Sequence, residues 1–190
     1  GGDESHFRIT APKRLNNNLC GLSREGHFDG VATVVFRLLK LVKPTTLFLG
    51  EKDWQQLLVI RQLINDFNLP IIIQGIPTIR DTNKLAYSSR NRYLNKAERK
   101  QANKLPYILE RASRDYKNDG NIDIDRIKSS LEVNGLKVEY LEAVRPNDLT
   151  PINIKQEKKI FLLATAVYCG QARLIDHIFI MQKNPIIAID

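Results

Sequence analysis

The chain has 190 residues, 43% of them apolar and 26% charged, with a formal net charge of +8. That apolar content supports a packed core and argues against disorder along the whole chain. No apolar run approaches the roughly 18 residues of a membrane-spanning helix. The positive charge favours anionic partners such as nucleotides, nucleic acid or a membrane surface, without choosing among them.

The first 26 residues, rich in Gly, Asn, Pro and charge, read mostly as loop with one short extended piece, HFRIT. Residues 31–42, VATVVFRLLKLV, have few polar interruptions and predict a buried helix that Pro44 breaks. TTLFLG follows as a short β-branched and aromatic strand ended by Gly50. The next helix is expected over 53–67, because Leu57, Ile60, Leu63, Ile64 and Phe67 fall at helical spacing on one face. IIIQGI is then an apolar strand. Strand, helix and strand in so short a span predict a parallel crossover unit. Strands buried on both faces read as continuous apolar runs, as these two do.

After Pro77 the sequence turns polar and basic. A helix is expected to start at Asn95 or Lys96 and to run on through RASRDYK. NIDIDRIKSSLEVNG predicts a shorter amphipathic helix closed by Gly135. LKVEYLEAV alternates as a half-buried strand. KIFLLATAVYC and ARLIDHIFI are two more strands, joined by a hairpin-like GQ. The first half is thus α/β with a parallel sheet, and the second half α+β with antiparallel strands. The boundary is placed near residues 80–90. One crossover unit is little for a doubly wound sheet, so the first half looks incomplete.

Several residues invite chemistry. Gly50, Glu51, Lys52 and Asp53 lie at the carboxyl end of a parallel strand and the start of a helix, where open α/β sheets bind ligands. A helix start offers free N–H groups to an anion, and Lys52 adds a point charge. The same residues also describe a solvated, capped helix start. Ser88, Ser89, Arg90 and Asn91 put two hydroxyls and a guanidinium before a helix, which suits a polyphosphate or, equally, a cap. Arg24 and His27 sit among three glycines in CGLSREGHFDG; taken alone, His27 reads as a loop histidine bonded to backbone. If one of Gln55 and Gln56 faces solvent, the other faces the crevice; the plainer alternative is two surface glutamines. His6, His27 and His177 are scattered, and no metal-ligand spacing or nucleophile elbow occurs. Cys20 and Cys169 lack CxxC spacing and read as reduced thiols of a cytoplasmic protein. The chain opens at Gly1, its one methionine is Met181, and no leader-like segment begins it, so a complete natural reading frame is not expected.

Taken together, LCGLSREGHFDGVATVV, LFLGEKDWQQLLVIRQL, PTIRDTNKLAYSSRNRYL and ARLIDHI resemble the pantothenate synthetase (pantoate–β-alanine ligase) family, in that family's order. The resemblance implies a Rossmann-like nucleotidyl-transferase domain, here represented by its C-terminal part over residues 1–84, and a small lid domain over 85–182. It implies ATP-dependent joining of pantoate to β-alanine through pantoyl adenylate, with Mg2+ accompanying the ATP, in a homodimeric cytoplasmic enzyme. It assigns Gly50, Glu51, Lys52, Asp53, Ile79, Tyr87, Ser88, Ser89 and Arg90 to ATP and Gln56 to pantoate. Lys52, Arg90, His27 and Arg24 would act on the reacting groups, Lys52 and Arg90 stabilising the departing pyrophosphate.

Three departures stand out. The family's N-terminal HxGH-type segment has no counterpart here, so the isolated chain is expected to be inactive. The usual DGLALSSRN reads NKLAYSSRN, with Lys84 for glycine and Tyr87 for leucine. Residues 183–190 carry NPIIAID, which resembles the first strand of a cytidylate kinase, as in cyanobacterial bifunctional fusions. Another adenylate-forming transferase is the alternative reading. A nucleic-acid-binding module fits less well, because acids accompany the bases throughout.

Overall fold

The β-branched and aromatic run after Pro44 forms β1 (Thr46–Gly50), and the apolar run after Pro70 forms β2 (Ile72–Ile76). The two pair in parallel, with Phe48 opposite Gln74 and Gly50 opposite Ile76. The computed structural model describes residues 7–154 and 160–181, and the chain divides into two compact units, residues 1–77 and 78–190.

In the first unit α1 (Lys13–Asn16) and α2 (Leu19–Ser23) occupy the stretch expected to be loop. They pack closely, since a Cβ on Gly21 would lie 2.1 Å from the carbonyl oxygen of Asn16. The described part of HFRIT forms no strand; its Ile9 N–H donates instead to Thr33 Oγ1 at 2.9 Å. Helix α3 (His27–Val42) begins four residues before the expected start. The cause is Gly26, whose φ of +70° turns the chain so that the His27 N–H reaches the Arg24 carbonyl at 3.0 Å. Nor is α3 buried all round: Phe28, Ala32 and Leu39 are inside, while Val34, Leu38, Leu41 and Val42 are exposed.

Between β1 and β2 runs α4 (Trp54–Asp66), which packs on α3. Its middle is buried on nearly every side, Leu58 and Val59 included, whereas Phe67 just past its end is exposed, its ring tilted against that of Phe36 with centres 4.6 Å apart. The strands are not buried on both faces as their composition suggests. Phe48 is 64% and Ile72 68% exposed, because among the described residues β1 and β2 pair only with each other.

The second unit opens with a small hairpin in which Arg80 bridges Ala86. Residues 78–84 lie with this unit. Helices α5 (Lys96–Ala102) and α6 (Lys104–Asp119) replace the single long helix expected there. Pro106 has no N–H for the carbonyl of Ala102, so the helix ends and restarts, leaving the proline in the first turn of α6. The N-terminus of α5 is closed by a capping box between Asn95 and Glu98.

After α7 (Ile124–Val133) and Gly135 come β3 (Lys137–Val144), β4 (Phe161–Cys169) and β5 (Ala172–Ile180), an antiparallel sheet in that order. The β4–β5 turn uses Gly170 at φ +54°, with Glu98 so close that a side chain there would collide. Helix α6 packs on β5 and α7 on β3, and the core closes around Tyr116, edge-on to Phe161 at 5.1 Å. The proposed kinase strand and His6 fall outside the described residues. No helix among the described residues is long and apolar enough to cross a membrane.

Candidate functional site

At the end of β1 the chain makes one 3-10 turn, Glu51–Asp53, before α4 starts at Trp54. An added Cβ at Gly50 would meet nothing within 4 Å, so that side of the turn is open. The Glu51 carboxylate lies over β2, where a Cβ on Gly75 would come 2.8 Å from its Oε1. The Lys52 side chain is only 16% exposed, and Asp53 Oδ1 lies 3.9 Å from its Nζ. Asp53 occupies the N-cap position of α4 but makes no side-chain cap, so a plain capping role does not account for this turn.

Gln55 and Gln56 are separated by one helical step of about 100°, and the structure gives them different work. Gln55 is 7% exposed. Its Oε1 accepts from the Cys20 N–H at 3.0 Å, and its Nε2 donates to the carbonyls of Leu15 at 2.8 Å and Asn18 at 2.9 Å. It ties α1 and α2 to α4, so the plainer alternative of two surface glutamines fails at Gln55. Gln56 instead lines an open cleft of about 650 Å³ together with Arg24, His27, Gly30, Val31 and Val34. Within it Arg24 Nη1 lies 2.8 Å from His27 Nε2. With the guanidinium donating, neutral His27 carries its ring proton on Nδ1. Asp29, in the same motif, points away; its Oδ1 accepts from the Ala11 N–H at 2.8 Å and anchors the N-terminal segment.

In the second unit Tyr87 N–H donates to the Ile79 carbonyl at 2.9 Å, which sets these two exposed side chains opposite each other on the hairpin. Ser88 begins a 3-10 turn, Ser89–Tyr93, and its hydroxyl accepts from the Arg90 N–H at 3.2 Å. Ser89 is exposed, and the Arg90 guanidinium makes no hydrogen bond among the described residues. A residue the sequence reading left without a role, Asn91, supports this turn from below. It is buried, with its Nδ2 donating to the Ala86 carbonyl at 3.0 Å and its N–H bonded to the Ser88 carbonyl. Arg80 and Asp81 are likewise unforeseen; Asp81 Oδ1 caps the N–H groups of Asn83 and Leu85, and Oδ2 meets Arg99 at 2.5 Å. The assigned residues thus form two groups. The cleft and charged turn lie in the first unit, and the hairpin with its serine–arginine turn lies in the second.

Among the described residues no group of three or more His, Cys, Asp or Glu is placed to hold a metal ion. Both cysteines are buried, and neither forms a disulfide among the described residues. Burial pushes the Cys169 thiol up, Glu98 adds to the rise, and a backbone bond from Ala102 opposes it.

The model of the family described as pantoate-beta-alanine ligase matches residues 4–179. A bifunctional pantoate ligase/cytidylate kinase of Prochlorococcus marinus is 56% identical over 189 residues, covering 100% of this chain and 36% of the relative. One from Parasynechococcus marenigrum is 51% identical over 180 residues, covering 95% of this chain and 34% of the relative. The crystal structure of pantothenate synthetase from Thermus thermophilus superposes with a TM-score of 0.81 at 35% identity, over 93% of this chain and 64% of that one. Pantoate-beta-alanine ligase from Francisella tularensis, complexed with beta-gamma ATP and beta-alanine, gives 0.75 at 34% identity, over 93% and 59%. The chain spans little more than a third of the length of the curated relatives it matches.

Proposed function

This chain belongs to the pantoate-beta-alanine ligase family, and we propose that it carries part of a site joining pantoate to β-alanine with ATP, by way of pantoyl adenylate. The observation that carries the reading is the cleft of the first unit, where Gln56 of α4 meets Arg24 and His27 from the turn before α3. A neutral amide beside a cation suits a hydroxy acid, whose hydroxyls need hydrogen bonds and whose carboxylate must stay reactive. On this reading Gln56 holds pantoate. Arg24, fixed by His27, orients the carboxylate for attack on the α-phosphorus.

That attack forms the acyl-phosphate bond and releases pyrophosphate. Lys52, already stripped of most of its water, meets growing negative charge more effectively than a solvated lysine. Arg90, Ser88 and Ser89 offer phosphate a cation and hydroxyl donors, while Ile79 and Tyr87 present exposed apolar surface suited to adenine. The amine of β-alanine then attacks the acyl carbon, and AMP leaves. No enzyme nucleophile is needed. Magnesium arrives as Mg-ATP, a substrate, since Mg2+ binds largely through phosphate oxygens and water. The reading extends to a homodimeric, cytoplasmic enzyme and to a 190-residue chain that is inactive by itself.

Gln56→Ala in the complete ligase tests it. The KM for pantoate is expected to rise about tenfold or more through the lost hydrogen bonds, with the KM for ATP unchanged. An equal rise for both substrates, or none for pantoate, overturns the assignment.

A further inference from the structure

Asp176 is the only buried charged residue among those described, at 4% exposure. It lies on the inward face of β5, two residues from Leu174 and from Ile178, both of which pack in the core. A carboxylate in such a place is costly unless it is fully paired. Here it is paired: Arg80 Nη1 donates to Oδ2 at 2.7 Å and Nη2 to Oδ1 at 2.8 Å, while the His177 N–H reaches Oδ1 at 2.8 Å. The fork geometry fixes the guanidinium in both position and plane.

Arg80 belongs to one arm of the hairpin, and its Nη1 also donates to the Lys84 carbonyl at the tip, at 3.1 Å. One guanidinium therefore ties the hairpin to itself and to β5. Further along, the Ser89–Tyr93 turn packs beside the same strand. Between these two anchors stand Ile79 and Tyr87, both exposed, with no core packing to hold them. Their place is set by the backbone bond they share and by the residues that moor the hairpin.

An apolar pair in place of a buried ion pair often stabilises a fold equally well. A bidentate pair adds a fixed direction. We propose that Arg80 and Asp176 are positioning residues that set the hairpin carrying Ile79 and Tyr87, and thereby the affinity for ATP. This rests on the ligase reading above.

The test uses the complete ligase with Arg80→Gln, Arg80→Lys, Asp176→Asn and the double variant Arg80→Gln/Asp176→Asn. Circular dichroism checks folding, and the KM values for ATP and pantoate are measured separately. The KM for ATP is expected to rise about tenfold in Arg80→Gln, with pantoate within about twofold and partial recovery in Arg80→Lys. In an Ile79→Ala background the same change is expected to have less effect, as coupled residues show. A merely structural pair would lower the melting temperature and leave both KM values of the folded enzyme unchanged, which overturns the proposal. If Arg80→Gln leaves Asp176 unpaired and fails to fold, the double variant, with no buried charge, carries the same comparison. Wild-type ligase that makes no pantothenate overturns the ligase reading and this inference with it. An active wild type with an unchanged ATP constant in the folded variants overturns this inference alone.

Discussion

Two adjacent glutamines offer the sharpest separation of stability from function. Truncating Gln55 to Ala removes the acceptor of the Cys20 N–H and the donor to the carbonyls of Leu15 and Asn18. Cys20 and Leu15 are buried, so water does not readily replace what is lost. One orphaned donor at about 1–3 kcal/mol and two weakened acceptors give a loss of about 2–4 kcal/mol. That is a large part of the total stability of about 5–15 kcal/mol typical of a domain. Gln56 lines an open cleft and makes no comparable bond among the described residues, so Gln56→Ala is expected to change stability by no more than about 0.5 kcal/mol. Urea unfolding of the chain measures both, followed by fluorescence of Trp54, its one tryptophan and the residue before Gln55. With a urea dependence of about 2 kcal/mol per molar, the midpoint of Gln55→Ala falls by about 1–2 M and that of Gln56→Ala barely moves. Equal midpoints for the two variants would refute the division of labour.

Lys52→Ala in the complete ligase is expected to lower pantoate-dependent ATP–pyrophosphate exchange by about a hundredfold or more, as loss of a charge-stabilising group does; near wild-type exchange removes Lys52 from the chemistry. Burial and Glu98 hold the Cys169 thiol above its ordinary value, so native protein at neutral pH is expected to react slowly with iodoacetamide at this site and quickly in urea. The same raised value means that its contribution to stability is intact below the unfolded thiol's pKa of about 8.5 and is lost as pH climbs through the folded value. Rapid native labelling, or a disulfide to Cys20, contradicts the packing. Finally, the parent reading frame is expected to continue past Asp190 into a GxxxxGK[ST] phosphate loop; a stop codon directly after Asp190 refutes the fusion.

What the sequence made legible follows from the range of the forces involved. The strand–turn–helix from 46 to 66 could be read because its signals are local: β-branched residues, a glycine, then apolar positions at helical spacing. Spacing alone misleads at Gln55 and Gln56, because Gln56 is in phase with Ile60, Leu63 and Phe67, yet Gln55 is the one that is buried. Which one turns inward depends on α1 and α2, a stretch whose Gly, Asn and Pro content concealed two short helices. The break at Asn103 was legible in principle, since Pro106 had to lose its bond to Ala102, but continuous helical spacing on both sides masked it. The exposure of Phe48 and Ile72 shows the opposite error. Composition tells what a strand is suited to pack against, and the neighbours present decide whether it does. Asp176 left a sharper trace than any of these. In ARLIDHIFI it is an acid in phase with Leu174 and Ile178, and a charge in phase with core residues demands a partner that the strand itself does not supply. The partner lies 96 residues earlier, in a hairpin whose only local signature was polarity. Motifs that bind ligands are recognisable as short strings because the ligand reads them locally. The residues that hold such motifs in place are found by asking which buried charge lacks an explanation.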